Sequence, residues 1–325
     1  MSRIVFLLAI CGFGCINDAA TAESSWTVMI YADAGDDAMR EITDCMLSQL
    51  LLVRTTEQVN VIMEVGFQND PSDKHPGDIH WTKNELCGED GSPIVPHWSG
   101  AYRLALEPDH AGAFKFLEYR GNVDFEATEE LSDFIRSAQR CYPAKHNLLI
   151  IKAHGPPLPS LFFRQTVLDE RTPASSGLAD LLNRLDFHDI QMYDDDSLSS
   201  TNAIARAVHD IFIDPKLDII AFDSCFRSFI ESAFALATSS DLLIASEDLI
   251  YIDERWHYED WLPKLVLDDA LEKEYLGKLI VDSFEMRNAS HMAASSLALI
   301  DLREIPQLLA PLDQISSQLT ATGSL

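Results

Sequence analysis

Two side chains in this sequence have the types and the placement for nucleophilic chemistry, Cys225 and His154. Cys225 comes just after Leu217-Asp-Ile-Ile-Ala-Phe222, an apolar run that reads as a buried parallel strand. His154 comes just after a second such run, His146-Asn-Leu-Leu-Ile-Ile-Lys-Ala153. Parallel strands end along one edge of their sheet, and neighbours lie about 4.8 Å apart. A histidine and a cysteine just past two adjacent strand ends therefore approach each other although they are distant in sequence. Crevices at that edge are where open α/β sheets bind ligands. A thiol attacks an amide near neutral pH only when a base takes its proton or when its pKa is lowered. His154 is the candidate base. After Asp223-Ser224-Cys225 the apolar period turns helical through Phe226, Phe229, Ile230, Ala233 and Phe234. That places Cys225 just ahead of a helix N-terminus, whose dipole favours a thiolate. The backbone N–H of Gly155 can point into the same crevice, as an oxyanion hole requires. Taken singly, the cysteine also fits a small buried apolar residue and the histidine before glycine a turn residue. Their matched placement is what raises a cysteine hydrolase above that reading.

The elements that must hold these two residues follow from periodicity. Trp26 to Ala32 reads as a strand, Asp33-Ala-Gly-Asp-Asp37 as a turn and N-cap, and Ala38 to Val53 as a helix. Gln58 to Val65 is a second strand, which completes a βαβ unit and argues for a parallel sheet. Residues 66 to 121 are rich in Pro, Gly, Asp and Trp, with short alternating stretches at Asp78–Thr82, Tyr102–Leu106 and Phe114–Tyr119. They read as a strand-and-loop insertion, a β-hairpin at the edge of the main sheet. Thr128 to Arg140 reads as an amphipathic helix opened by a capping-box-like Thr128, with Pro143 beyond its end. The segment from Pro156 to Ser200 is long, poorly periodic and interrupted at Pro156, Pro157 and Pro159. A loop of that length in a compact domain is usually functional or disordered. A serine-capped helix runs to Phe212 ahead of the cysteine strand. Asp241 to Ser246 is a fifth strand and Ser295 to Asp301 a sixth, with helices at Tyr258–Val266, Ala270–Met286 and Ile305–Leu319.

Composition bounds the function. The chain has 325 residues and a formal charge of -28. So acidic a surface repels phosphate backbones, which excludes nucleic-acid binding, and attracts basic peptides or divalent cations. Met1-Ser-Arg3 and the apolar Ile4–Phe13 lead to Ala20-Thr21-Ala22. That pattern reads as a signal peptide over residues 1–22 and an exported protein, secreted or periplasmic. Cys15 offers an alternative as a lipid-attachment site. No later apolar run is long enough to span a bilayer. The mature chain would keep Cys45, Cys87, Cys141 and Cys225. With Cys225 as a reactive thiol, at most one disulfide remains, and a structural zinc site is not indicated.

The chain resembles the clostripain family of cysteine peptidases, whose fold is that of caspases and legumains. The resemblance runs from Trp26 to about Leu319. It is carried by Trp26-Thr-Val-Met-Ile-Tyr31 with the acidic turn Asp33–Asp37, by Leu131-Ser-Asp-Phe-Ile135, by Tyr142-Pro-Ala-Lys145 and by Leu149–Gly155. It continues in Asp218–Glu231 with Asp-x-Cys at Asp223 and Cys225, in Ile244-Ala-Ser-Glu247 and in Trp256-His-Tyr258. It implies an α/β fold, a caspase-like three-layer sandwich around a mostly parallel six-stranded sheet, as a single peptidase domain over 23–325. It implies an endopeptidase with Cys225 as nucleophile and His154 as general base or acid. Asp223 would line the S1 pocket and select Arg or Lys at P1, while Ser246 and Glu247 would lie on the substrate side. The substrates would be proteins or peptides with basic residues. Some relatives use calcium, Ca2+, and the acidic loops here are compatible with that but name no ligand set. Some also cut themselves after the histidine strand, for which Arg164, Arg171 and Arg184 are the candidates. Two departures touch the substrate side: Pro156-Pro157 after His154-Gly155, and Arg255 before Trp256. They motivate an alternative, a catalytically impaired caspase-fold binding module. A small-substrate amidase is a third reading, disfavoured by the long loops. As a physical alternative, Asp223 also suits the N-cap of the following helix.

Overall fold

The computed structural model describes residues 23–67, 81–82, 99–109, 113–155, 200–250, 256–289 and 296–308, with 311, 314, 315 and 318. The strands are β1 (Ser24–Ala34), β2 (Val59–Phe67), β3 (Trp81–Thr82), β4 (Gly100–Leu106) and β5 (Ala113–Gly121). They continue with β6 (Ala144–Lys152), β7 (Leu217–Phe222), β8 (Ser240–Ala245) and β9 (Ala298–Asp301). They form one nine-stranded sheet in the order β3-β5-β4-β2-β1-β6-β7-β8-β9. β2, β1, β6, β7 and β8 run parallel. β4, β5, β3 and β9 pair antiparallel at the two edges.

All six strands expected from periodicity are present, but the sheet is larger and mixed. The sixth, β9, runs antiparallel to β8, and strand direction leaves no mark on an apolar period. The insertion forms one edge of the sheet. β4 pairs along β2 from Ile62↔Ala105 to Phe67↔Gly100, so the sheet continues through it. Buried Arg103 of β4 reaches Glu64 of β2 at 2.5 Å, which ties the two strands by a charge-assisted bond as well as by their ladder.

Helices cover both faces. α1 (Asp37–Leu50), α5 (Tyr258–Leu267) and α6 (Lys273–Asn288) pack on one; α2 (Thr128–Cys141), α3 (Thr201–His209), α4 (Ile230–Leu236) and the 3-10 turn Leu302–Leu308 pack on the other. This is a three-layer α/β/α sandwich. Double coverage explains why the central strands are apolar without alternation. Val28, Ile30, Leu148, Ile150, Ile219 and Ala221 enter one core, and Met29, Tyr31, Leu149, Ile151, Ile220 and Phe222 the other. Each buried Val, Leu, Ile, Met or Phe among them contributes roughly 1.5–3 kcal/mol relative to exposure.

Helix starts follow local capping only in part. Asp36 caps α1 by accepting from the Met39 N–H at 2.9 Å, and Ser200 caps α3 by accepting from Ala203. Thr128, by contrast, is the first residue inside α2; Ala127 is its N-cap, with no side-chain bond. Glu129 and Glu130 then complement the helix dipole. Cys141, at the end of α2, is in a disulfide whose other half lies outside the described residues.

Asp44 of α1 is buried, and its Oδ1 has no hydrogen-bond partner among the described residues. Burial pushes its carboxyl up to about 7, against the pull of Arg40. A raised carboxyl stabilises the fold fully below its unfolded value near 3.8 and loses that contribution as pH rises through about 7. Asp44→Asn, which cannot ionise, is therefore expected to raise the melting temperature more at pH 8 than at pH 5, as measured by thermal denaturation.

Candidate active site

The central pair of strands sets the site. β6 and β7 are adjacent and parallel, with Ile151 opposite Phe222. The Asp223 N–H still donates to the Ile151 carbonyl at 3.0 Å. Three residues further along each chain stand His154 and Cys225, at matched positions on the carboxyl edge. Gly155 shows how tightly their loops meet. A Cβ on it would lie 2.2 Å from the Cys225 carbonyl oxygen and 2.8 Å from its carbonyl carbon. Only a glycine permits that approach.

His154 is 63% exposed, and its Nε2 is 2.5 Å from Oδ2 of Asp36, itself 50% exposed. Asp36 follows β1, which pairs with β6 on the side away from β7. Three consecutive sheet positions thus supply carboxylate, imidazole and thiol. The Met39 N–H and then the His154 contact hold the Asp36 carboxyl below the usual carboxylate range. An ionised Asp36 accepts from an Nε2–H, and in a neutral ring so protonated the lone pair is on Nδ1. Sequence reading took Asp36 only as part of the turn and cap. The signal that could have found it is its place at the end of the strand next to the histidine strand.

Cys225 is partly buried. Its Sγ accepts from the Ile250 N–H at 3.3 Å and faces the Ile250 carbonyl at 3.7 Å. Burial pushes the thiol above its ordinary 9.0; the Ile250 N–H opposes this, and the charges of Asp223 and Asp248 add to it. The expected helix N-terminus is not there. α4 starts at Ile230, and Phe226 has a left-handed φ of 55°. The N–H groups that a helix start would offer are spent on the loop after β8: Phe226 donates to Asp248, and Arg227 and Ser228 donate to Ser246. The cysteine therefore lacks the helix dipole that would stabilise a thiolate, and its burial favours the neutral thiol.

Asp223 is not an N-cap of that helix either. Its Oδ2 accepts from Lys152 Nζ at 2.7 Å and from the Tyr258 hydroxyl at 3.1 Å. The Lys152 and Asp223 side chains are 4% and 5% exposed. Ser246 is fully buried; its hydroxyl donates to the Asp248 carbonyl and accepts from the Asp248 N–H. It shapes the loop that carries Ile250 to Cys225. Glu247 is exposed beside it. Arg227, which sequence reading passed over, is buried with its guanidinium over the Phe222 ring and NH1 on Thr201. Burial pushes it down to about 10. Pro156, Pro157, Arg164, Arg171, Arg184, Arg255 and the residues 1–22 lie outside the described residues.

A calcium site does not emerge from these groups. Among the described residues, His257, Glu259 and Asp260 could converge on one ion. Both Asp260 oxygens are bonded to Arg287, however, and His257 Nδ1 lies 3.1 Å from Glu259. Calcium asks for six or more oxygens, which this set does not offer.

A thiol, a carboxylate-held imidazole and a glycine N–H thus stand on one sheet edge, the kinds of group that a cysteine-type peptidase uses. Residues 190–324 match the model described as the clostripain family, a stretch that holds Cys225 and Asp223 but not His154. The resemblance to that family is thus shown over this part of the chain. In fold the chain is similar to an inactive zymogen C11 protease from Parabacteroides distasonis. The identity is 17% and the TM-score 0.58, over 90% of this chain and 66% of that one. It is also similar to a secreted C11 cysteine protease from Bacteroides thetaiotaomicron, called iotapain. There the identity is 17% and the TM-score 0.60, over 93% of this chain and 75% of that one. A structure from the same organism, a secreted C11 cysteine protease with an irreversible peptide inhibitor, gives 14% and 0.56 over 88% and 69%. Among curated protein sequences none matches.

Proposed function

We propose that this protein is a cysteine endopeptidase that hydrolyses peptide bonds with Cys225 as nucleophile and His154 as its general base. The observation that carries the reading is the in-register placement of His154 and Cys225 past β6 and β7, with Asp36 behind the imidazole. His154 takes the thiol proton as Sγ attacks the scissile carbonyl. The Gly155 N–H is the oxyanion donor, and the protonated imidazole then returns its proton to the leaving amine. Water releases the acyl group by the same route in reverse.

The resemblance implies Arg or Lys at P1 through Asp223. In this chain that carboxylate already carries Lys152, so a basic preference does not follow from its position alone. Export rests on the signal-like residues 1–22 and on the name of a secreted relative. Among the described residues no helix is long and apolar enough to cross a membrane. A second reading, a binding module with a silent site, draws on the raised thiol and on the turn of His154 towards Asp36.

A thiol-reactive peptidyl probe separates the two. Stoichiometric labelling found on Cys225 by peptide mapping, and blocked by competing peptide, is the expected result. Label on Cys45 alone, or none, would favour the silent module.

A further inference from the structure

Lys152 and Asp223 form a buried ion pair inside the proposed site. Lys152 is the last residue of β6, two before His154; Asp223 is the first residue after β7, two before Cys225. The β6/β7 register brings the two side by side on the face of the sheet covered by α1, α5 and α6. The ammonium sits 2.7 Å from Oδ2, and the Tyr258 hydroxyl donates to the same oxygen at 3.1 Å. Both charged side chains are almost wholly enclosed, and Tyr258 is buried at the start of α5.

An enclosed carboxylate attracts a cation strongly only while it has none. Once an ammonium from the same chain is bonded to it, the pair is close to neutral at the distance of a ligand. An incoming guanidinium or ammonium must then either displace Lys152, leaving that charge buried without a partner, or lie beside it as a second cation. Breaking a buried pair is strongly unfavourable because it leaves an uncompensated charge, and a like charge at close range is unfavourable as well. An uncharged P1 side chain meets neither cost.

We propose that Lys152 is a built-in counter-ion that closes Asp223 to basic P1 side chains, so that this site cleaves after uncharged residues. This rests on the reading of Cys225 as the nucleophile. Lys152 is a specificity-determining residue here: it touches Asp223 rather than the reacting atoms.

The test is cleavage of a peptide series that differs only at P1, with Arg, Lys, Gln, Ala and Leu. It is run with wild type, Lys152→Met, Lys152→Arg and Cys225→Ala. Wild type is expected to prefer the uncharged P1 residues in kcat/KM by about tenfold or more, the worth of roughly 1.4 kcal/mol. Lys152→Met is expected to move the Arg-to-Leu ratio at least as far in the opposite direction, mainly through KM, because Asp223 becomes available. Lys152→Arg, which keeps the counter-ion, should retain the wild-type preference. A purely structural lysine would alter stability and kcat for every peptide alike and leave the ratio unmoved. Should Lys152→Met fail to fold, Lys152→Gln keeps a hydrogen bond to Asp223 without the charge and is read in the same way. A wild type that prefers Arg or Lys, or a ratio indifferent to loss of the Lys152 charge, overturns the proposal while leaving the nucleophile intact. Cleavage that persists in Cys225→Ala, or its absence with every peptide, overturns the reading of the site and the proposal with it.

Discussion

Cys225→Ala is expected to abolish peptide hydrolysis, and His154→Ala to lower kcat/KM by about two to four orders of magnitude, the range of a lost general base. The second loss is large because the thiol is poorly prepared to ionise by itself. Burial and the nearby Asp223 and Asp248 charges hold it above its ordinary value, with the Ile250 N–H as the opposing influence. α4 begins too late to help. Alkylation by iodoacetamide reports this directly, because only the thiolate reacts. In His154→Ala the rate at Cys225 should still be climbing at pH 9 and should be slower near neutral pH than in wild type, where the thiol has a base to take its proton. A variant whose alkylation profile matched wild type would show that His154 does not act on the thiol. The imidazole nitrogen on Asp36 is Nε2, so the base in this scheme is Nδ1, and Asp36 acts on the thiol only through the ring.

The strands and their two terminal residues were legible because a doubly covered sheet leaves continuous apolar runs. The step out of each run then marks the carboxyl edge where His154 and Cys225 stand. What escaped reading depended on partners chosen by the tertiary fold. The segment from Phe226 to Phe229 has a helical apolar period, yet the Phe226, Arg227 and Ser228 N–H groups bond to Ser246 and Asp248 in the loop after β8, and the helix is postponed to Ile230. Ser246 reads as a strand-end polar residue free to meet substrate, whereas its hydroxyl is enclosed in the turn it makes with Asp248. Asp36 looks complete as an N-cap, so nothing local announces its second bond to His154. Lys152 is the clearest case. The sequence shows Lys152 only as a member of the run His146–Ala153, and only the β6/β7 register reveals that it ends on Asp223. Resemblance assigns Asp223 a ligand by its place before the cysteine; the neighbouring strand decides whether that ligand is wanted.

Gly155→Ala is expected to lower kcat/KM by roughly a hundredfold or more while leaving the fold assembled, since a displacement near 1 Å at the reacting groups has that effect. The added Cβ would sit 2.2 Å from the carbonyl oxygen and 2.9 Å from the Cβ of Cys225. These are backbone and near-backbone atoms, so no rotamer change relieves the overlap. Either the histidine loop or the cysteine loop must move. The Cys225 loop is held by Phe226, Arg227 and Ser228 through bonds to the β8 loop, whereas Gly155 has only reached the third residue past β6. The histidine loop is therefore the side that gives, which carries the proposed oxyanion donor away from the scissile carbonyl and shifts His154 relative to Sγ. The cost to stability should stay within the ~1–3 kcal/mol typical of overpacking, because the strain falls at the sheet edge and not in either core. Parallel measurements of the melting temperature and of kcat and KM distinguish the outcomes. A modest drop in melting temperature with a fall mainly in kcat is expected. Near-normal turnover in Gly155→Ala would mean that the close approach of the two loops is not part of the working site.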